Sequence, residues 1–301
     1  MNTPPRTLIE FLNAARDYLE GKSVDNARGD AEALLGRALG LPRLQIYLQH
    51  DRPLKPDEVA RYRELLARRG KREPLQLILG TVEFCGVPIA VSPGLLIPRP
   101  ETEELAMSVI EWAQAQDNAQ LRVLDIGTGT GCVAVAIAAQ VPRAMVDAAD
   151  VDFEAVKCAV ANAQRNRVAD RVCVLRADFL SPRFLASVQP PYDAVVSNPP
   201  YVAEADYRTL PPEIREYESK RALVAGDDGL TFYRRMAEVV PALLRPGGFL
   251  AVEVAYNQAE PVEKILSGVL GEIGIKNDLS GVPRIVCGVN MEEEPSQLRA
   301  S

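Results

Sequence analysis

The chain has 301 residues, 47% apolar and 25% charged, with a formal net charge of −7. This ordinary globular composition predicts one large domain or two of usual size with a sizeable core. Its acidic balance argues against a protein held on nucleic acid by bulk phosphate neutralisation, and a single histidine, His50, excludes chemistry built on several histidines.

Charge divides the chain. Residues 1–72 carry 14 basic and 10 acidic side chains, while residues 73–301 carry 20 and 31. The first segment has helical rhythm: Leu8, Phe11, Leu12, Ala15 and Leu19, then Ala31, Leu34, Leu35 and Leu39, each spaced for one face of a helix. Leu41-Pro42 breaks the chain, and Leu44 to Leu48 resumes it. Pro56-Asp57-Glu58 starts a further helix that runs to Arg69, with acid at the positive dipole end. A small helical domain over 1–72 is predicted, and Arg61, Arg63, Arg68, Arg69, Lys71 and Arg72 read as a solvated face. Leu75, Leu77 and Leu79, then Phe84, Val87, Ile89 and Val91, read as extended runs of a β-hairpin linker over 73–98. Glu101 to Gln116 is a helix, with Trp112 on its apolar side.

From Leu121 strands and helices alternate. Strands are expected at Leu121–Ile126, Ala144–Ala149, Val172–Leu175, Ala194–Ser197 and Phe249–Val254. Helices are expected at Cys132–Gln140, Phe153–Asn166 and Leu230–Leu244. This repetition implies an α/β fold with a mostly parallel sheet covered on both faces. Gly274–Asn277 and Arg284–Val289 read as a closing antiparallel pair, and 291–301 as a frayed polar tail. The five cysteines are scattered without a CxxC pair, which reads as reduced, mostly buried thiols in a cytoplasmic protein. The charged first twenty residues do not form a signal peptide, and the longest apolar run, Cys132–Ala139, is too short to span a membrane. No metal site is expected.

Two motifs carry chemistry. Asp125-Ile126-Gly127-Thr128-Gly129-Thr130-Gly131 follows a strand and opens a helix, and Asp150 ends the next strand. The glycines admit a ligand close to the backbone, and Asp150 can accept hydrogen bonds from ribose hydroxyls. The spacing is G-x-G-x-G rather than the dinucleotide G-x-G-x-x-G. An acid at 125 repels pyrophosphate and suits an ammonium group. S-adenosylmethionine has a ribose and an α-amino group and no phosphate, so it is favoured over NAD. Ser197-Asn198-Pro199-Pro200-Tyr201 follows a later strand, and its place at a carboxyl end puts both motifs in one cleft. The Asn198 side chain and the Pro199 carbonyl can accept both protons of a planar –NH₂ group, and Tyr201 can cover its flat face. Such a nitrogen is a poor nucleophile because its lone pair is delocalised. Two acceptors favour pyramidalisation, so positioning can carry an in-line methyl transfer without a histidine base.

In series, the glycine loop, Asp150, Asp178-Phe179 and Ser197 to Tyr201 resemble a class I AdoMet-dependent N-methyltransferase. Gly40 to Arg43, Glu73 to Gly80, Leu96 to Glu103 and Asp228 to Leu230 narrow the resemblance. Together they are similar to the PrmC/HemK family of peptide chain release factor glutamine N5-methyltransferases, over roughly residues 5–290. The resemblance implies a Rossmann-like seven-stranded sheet over 99–290. It implies that Gly127, Thr128, Gly129, Thr130, Gly131, Asp150 and Asn198 bind S-adenosylmethionine, with Phe179 against the adenine and Asp178 near its amino group. Asn198, Pro199, Pro200 and Tyr201 would hold the glutamine of a release factor's Gly-Gly-Gln loop. Arg99 and Glu101 would sit near the entrance, and the N-terminal helices would help to grip the partner. The chain departs from the family at Glu218-Ser219-Lys220, where the family has Glu-Pro, and at Ala225-Gly226, where it has two glycines. Methylation of a ribosomal-protein glutamine or a nucleic-acid adenine stays open at the same slot, although the acidic surplus of residues 73–301 counts against stable nucleic-acid binding.

Overall fold

The computed structural model describes residues 7–291. The polar tail lies almost wholly outside the described residues. The described residues divide into two compact units. One holds the chain up to Thr81 together with Pro211–Tyr217, and the other holds Val82–Leu210 and the chain from Glu218 onward.

The first unit is helical: α1 (Leu8–Glu20), α2 (Ala27–Leu39), α3 (Arg43–Leu48), α4 (Pro56–Arg69) and α5 (Leu75–Leu79). The apolar faces read from periodicity are the buried ones, with Leu8, Leu12, Ala31, Leu34, Leu35, Ile46, Tyr62 and Ile78 in one core. Two polar devices tie it. The Tyr62 hydroxyl donates to the Ala31 carbonyl at 3.0 Å, and Arg69 pairs with buried Asp30 at 2.7 Å. The basic run is therefore a solvated face only in part: Arg61, Arg63 and Lys71 are exposed. Arg69 is buried, and Arg61, Arg68 and Arg72 each meet an acid.

Leu75–Leu79 is a helix, not a strand of the linker. Its leucines alternate, but Leu75, Ile78 and Leu79 also follow helical spacing, and that face meets the helical core. The hairpin itself is shorter: β1 (Thr81–Phe84) and β2 (Val87–Ala90) around Cys85-Gly86, both at positive φ, as a tight hairpin turn requires.

The second unit continues with α6 (Pro100–Gln114), β3 (Leu121–Ile126), α7 (Cys132–Gln140), β4 (Ala144–Asp150), α8 (Phe153–Arg165), β5 (Val172–Arg176), α9 (Phe184–Ser187) and β6 (Tyr192–Ser197). A 3₁₀ turn at Asp206–Thr209 leads to α10 (Pro212–Tyr217), which belongs to the first unit. There Glu213 accepts from Arg72 and Arg69. The chain then forms α11 (Lys220–Leu223), α12 (Thr231–Leu243), β7 (Leu244–Glu253), α13 (Ala259–Leu266), β8 (Leu270–Asn277) and β9 (Pro283–Asn290).

Among the described residues one seven-stranded sheet runs β5-β4-β3-β6-β7-β9-β8. Its first five strands are parallel and the last two join antiparallel. Apolar clusters lie on both faces. α7 is apolar up to Gln140 and is buried from Cys132 to Ala138, as a helix without a polar side requires. Trp112 is only half-buried, stacked on Phe249 with ring centroids 5.4 Å apart. The cysteines are less buried than expected: Cys132 and Cys158 are buried, Cys85 and Cys287 half-buried, and Cys173 exposed. No helix among the described residues is long and apolar enough to cross a membrane.

Candidate active site

Strand order reverses around β3, with β4 on one side and β6 on the other. In an open parallel sheet such a switch point leaves a crevice at the carboxyl ends of the strands. Here the crevice is a cavity of about 520 Å³. The loops after β3 and β6 meet in it because Ile126 and Ser197 are in register, and the Ser197 hydroxyl donates to the Ile126 carbonyl at 2.7 Å.

The glycine loop is held from below. The N–H groups of Gly127 and Thr128 both donate to the Ala149 carbonyl, at 2.8 and 3.1 Å. Gly127, Gly129 and Gly131 all have positive φ. At Gly131 the need is also steric, since a Cβ there would lie 2.8 Å from the Ala159 Cβ. Asp150 accepts from the N–H of Gly129 at 2.9 Å and of Asp152 at 2.8 Å, so the acid that ends β4 is pinned to the loop. Burial holds the Asp150 carboxyl above the usual range.

Asp125 lies deeper. Its carboxylate accepts from the Thr128 hydroxyl at 2.6 Å. Burial pushes it up to about 7, reinforced by the nearby charge of Asp150. Phe179 is backed by Phe184, edge-on at 5.1 Å, and by Phe232, stacked at 6.2 Å. Among the described residues the buried Thr130 Oγ1 has no hydrogen-bond partner.

Ten of the expected site residues line this cavity: Gly127, Thr128, Gly129, Thr130, Asp150, Asp178, Phe179, Asn198, Pro199 and Pro200. Four do not. Gly131 is packed beneath the loop on α8. Tyr201 turns into the apolar cluster under the sheet, where burial pushes its hydroxyl up to about 12. Its main chain is clamped by the Leu223 carbonyl at 3.1 Å and by Gln258 Nε2 at 3.0 Å. Arg99 pairs with Glu218, whose side chain is almost fully buried. Glu101 is half-buried in the first turn of α6, near enough for its charge to act on Glu253.

The atypical stretch from Glu218 forms part of the cavity wall through Ser219, Lys220, Arg221 and Ala222. Ser219 replaces the family's proline by capping: its hydroxyl accepts from the Arg221 N–H at 3.2 Å and starts α11. Sequence reasoning missed Thr102 and Glu253. Thr102 lines the cavity and donates to Glu253 Oε2 at 2.7 Å, while Asn198 Nδ2 donates to Thr102 Oγ1 at 3.0 Å. The available signal was an acid closing the otherwise apolar run Phe249 to Val254. Among the described residues no cluster of three or more His, Cys, Asp or Glu is placed to hold a metal ion.

Comparison with known proteins agrees with this geometry. Residues 10–80 match the model described as the PrmC N-terminal domain, and residues 108–215 the methyltransferase small domain. The release factor glutamine methyltransferase of Geobacter sulfurreducens is 44% identical over 285 residues, covering 94% of this chain and 96% of that protein. The protein of the same name from Chlorobaculum tepidum is 38% identical over 281 residues, covering 92% of this chain and 95% of that one. The crystal structure of the hMettl16 catalytic domain in complex with MAT2A 3'UTR hairpin 6 aligns with a TM-score of 0.54 at 17% identity, over 81% of this chain and 86% of that chain, a likeness of fold alone. With a class I methyltransferase sheet, its two motifs in one cleft and this identity over nearly its whole length, the chain belongs to the release factor glutamine methyltransferase family.

Proposed function

We propose that this enzyme transfers a methyl group from S-adenosylmethionine to the side-chain amide nitrogen, N5, of the glutamine in the Gly-Gly-Gln loop of peptide chain release factors. The observation that carries the reading is the shared cavity of the glycine loop and Asn198-Pro199-Pro200, brought together by neighbouring strands.

The cleft chemistry fits the cofactor. Asp150 would take the ribose hydroxyls and Phe179 the adenine, with Asp178 at the rim. Asp125 is the acid placed for an ammonium group, and the unpartnered Thr130 hydroxyl is available to a polar ligand atom. Bound S-adenosylmethionine supplies the methyl group on its sulfonium.

The chain's own work is to prepare the nitrogen. The Asn198 carboxamide oxygen and the Pro199 carbonyl accept the two amide protons. Pro199 and Pro200 lack N–H groups and have fixed φ, so the turn is stiff. Tyr201, clamped at its main chain, holds the turn against the sheet. These acceptors favour a pyramidal nitrogen with its lone pair aimed at the methyl group, so that orientation and fixed dipoles lower the barrier. No side chain need act as a base before transfer: the nitrogen bonds to the methyl carbon as the carbon–sulfur bond breaks to a neutral thioether, and the nitrogen then gives up one of its two protons to water.

The helical segment 1–72 would help to grip the release factor, the hairpin region 73–98 would link it to the methyltransferase domain at 99–290, and Arg99 and Glu101 would lie at the entrance. A release factor works on ribosomes, so the enzyme would act in the cytoplasm. Incubation with labelled S-adenosylmethionine and an unmethylated release factor should label that factor and not its variant with Ala for Gln in the Gly-Gly-Gln loop. Equal labelling of both, or labelling only of a ribosomal protein or DNA, would sink the proposal.

A further inference from the structure

We propose that Thr102 and Glu253 are positioning residues that set which end of the Asn198 carboxamide meets the substrate, an inference that rests on the transfer reaction proposed above. The three side chains form one hydrogen-bonded line. Asn198 Nδ2 donates to Thr102 Oγ1 at 3.0 Å, and Thr102 Oγ1 donates to Glu253 Oε2 at 2.7 Å. They come from the loop after β6, the first turn of α6 and the end of β7. Thr102 and Glu253 are 2% and 3% exposed, so water does not compete for these bonds.

Counting protons fixes the direction of the line. An ionised carboxylate only accepts, and a hydroxyl has one proton to give. The Thr102 proton goes to Glu253, so Thr102 presents a lone pair to Asn198. Only the –NH₂ end of the carboxamide satisfies that lone pair. Oδ1, the acceptor that a substrate amide needs, is left on the side away from Thr102.

A protonated Glu253 no longer enforces this order, because it gains an O–H donor while its other oxygen still accepts. The reverse order then becomes open: Glu253 donates to Thr102, Thr102 donates to Asn198, and the carboxamide turns over to accept. The substrate –NH₂ then meets N–H donors, and the acceptor pair is lost. Burial pushes the Glu253 carboxyl up to about 7. Glu101 adds to that rise, and the Thr102 hydroxyl, Arg284 and Arg99 oppose it. Tyr201 and Tyr233 also face it, and both stay neutral in this range because burial raises them further. The Tyr233 hydroxyl donates to the Glu253 main-chain oxygen at 2.7 Å and holds the end of β7 in place. The line should therefore be correctly polarised above neutrality and lose its polarity below it.

The test is single-turnover transfer from saturating labelled S-adenosylmethionine to an unmethylated release factor, from about pH 6 to about pH 9, with cofactor affinity measured by calorimetry. The wild-type rate should fall on the acid side. Glu253→Gln should be slower by about tenfold and lose that acid limb, since its amide cannot titrate. Thr102→Val should lose at least about tenfold in rate at unchanged cofactor affinity, and Thr102→Ser should recover to within about threefold of wild type. A wild-type profile without an acid limb overturns the proposal, as does a limb that survives in Glu253→Gln, or equal rates for the Val and Ser variants. Asn198→Ala separates the two layers: normal transfer by it would overturn the reaction reading itself. Its loss of transfer beside an unchanged Glu253→Gln profile would overturn only the positioning role.

Discussion

Arg99 and Glu218 meet across two loops that flank the cavity, and the acid is much the more buried partner. Burial holds the Glu218 carboxyl above its ordinary range, and Arg99 pulls it back. Among the described residues the buried Oε2 has no close hydrogen-bond partner, although the Ile97 N–H also steadies the carboxylate. Removing the arginine leaves an uncompensated buried charge, which costs about 3 kcal/mol in comparable sites. Arg99→Ala should therefore lower unfolding free energy by about that amount at neutral pH, and Glu218→Gln by less. Without its partner the carboxyl rises further, so the loss in Arg99→Ala should shrink in mild acid, where the group is neutral. Denaturant unfolding at the two pH values checks this, and equal losses at both would contradict it.

Asp125 is held in the folded chain up to about 7. The unfolded chain ionises it at its ordinary, lower value. Folding then costs more as pH rises between those values, and the full cost is present above the folded value. Asp125→Asn keeps an acceptor for the Thr128 hydroxyl and removes the charge. It should stabilise the cofactor-free enzyme at about pH 8 by on the order of a few kcal/mol and have little effect near pH 4. It should also weaken S-adenosylmethionine binding. Melting curves at both pH values, paired with calorimetry, decide it.

Asp150 binds two backbone N–H groups. In Asp150→Ala both lose their acceptor, at roughly 1 kcal/mol each, and the ribose loses its partner. Cofactor affinity should fall at least about tenfold, with the fold retained by circular dichroism. Affinity within a factor of about two of wild type would remove Asp150 from the binding role.

Gly131→Ala should combine a left-handed backbone, unfavourable by about 1 kcal/mol, with a clash against α8 worth about 1–3 kcal/mol. Ala159→Gly in the same chain should relieve little of the clash, because the Ala159 Cα would still lie 2.9 Å from the new Cβ. Thermal unfolding checks this, and a Gly131→Ala variant as stable as wild type would show that neither the left-handed backbone nor the contact with Ala159 requires glycine here.

The parallel sheet was legible because each strand is dominated by apolar residues and alternates with a helical segment. Leu121 to Ile126 and Cys132 to Gln140 need no tertiary information. Leu75–Leu79 was not legible, because five residues fit a period of two and a period of 3.6 equally well, and only packing on the helical core decides between them. The short helices between Phe184 and Leu223 are governed by caps and turns rather than by apolar rhythm. At the site, loop residues declared themselves through glycine, proline and asparagine. Thr102 and Glu253 did not, because their meaning lies in a bond between residues 151 positions apart. The spacing of Arg99 and Glu218 hides their pairing in the same way.

The return of Pro211–Tyr217 to the helical unit bears on how this protein can be taken apart. The matched N-terminal region stops at residue 80, yet the physical unit includes the distant helix that carries Glu213. A fragment cut at that boundary would leave Arg69 and Arg72 without this acid. Grafting the helical region onto another scaffold, or exchanging it between relatives, would split one folded body at a point where the sequence looks modular. The unit of inheritance is continuous here, and the unit of packing is not.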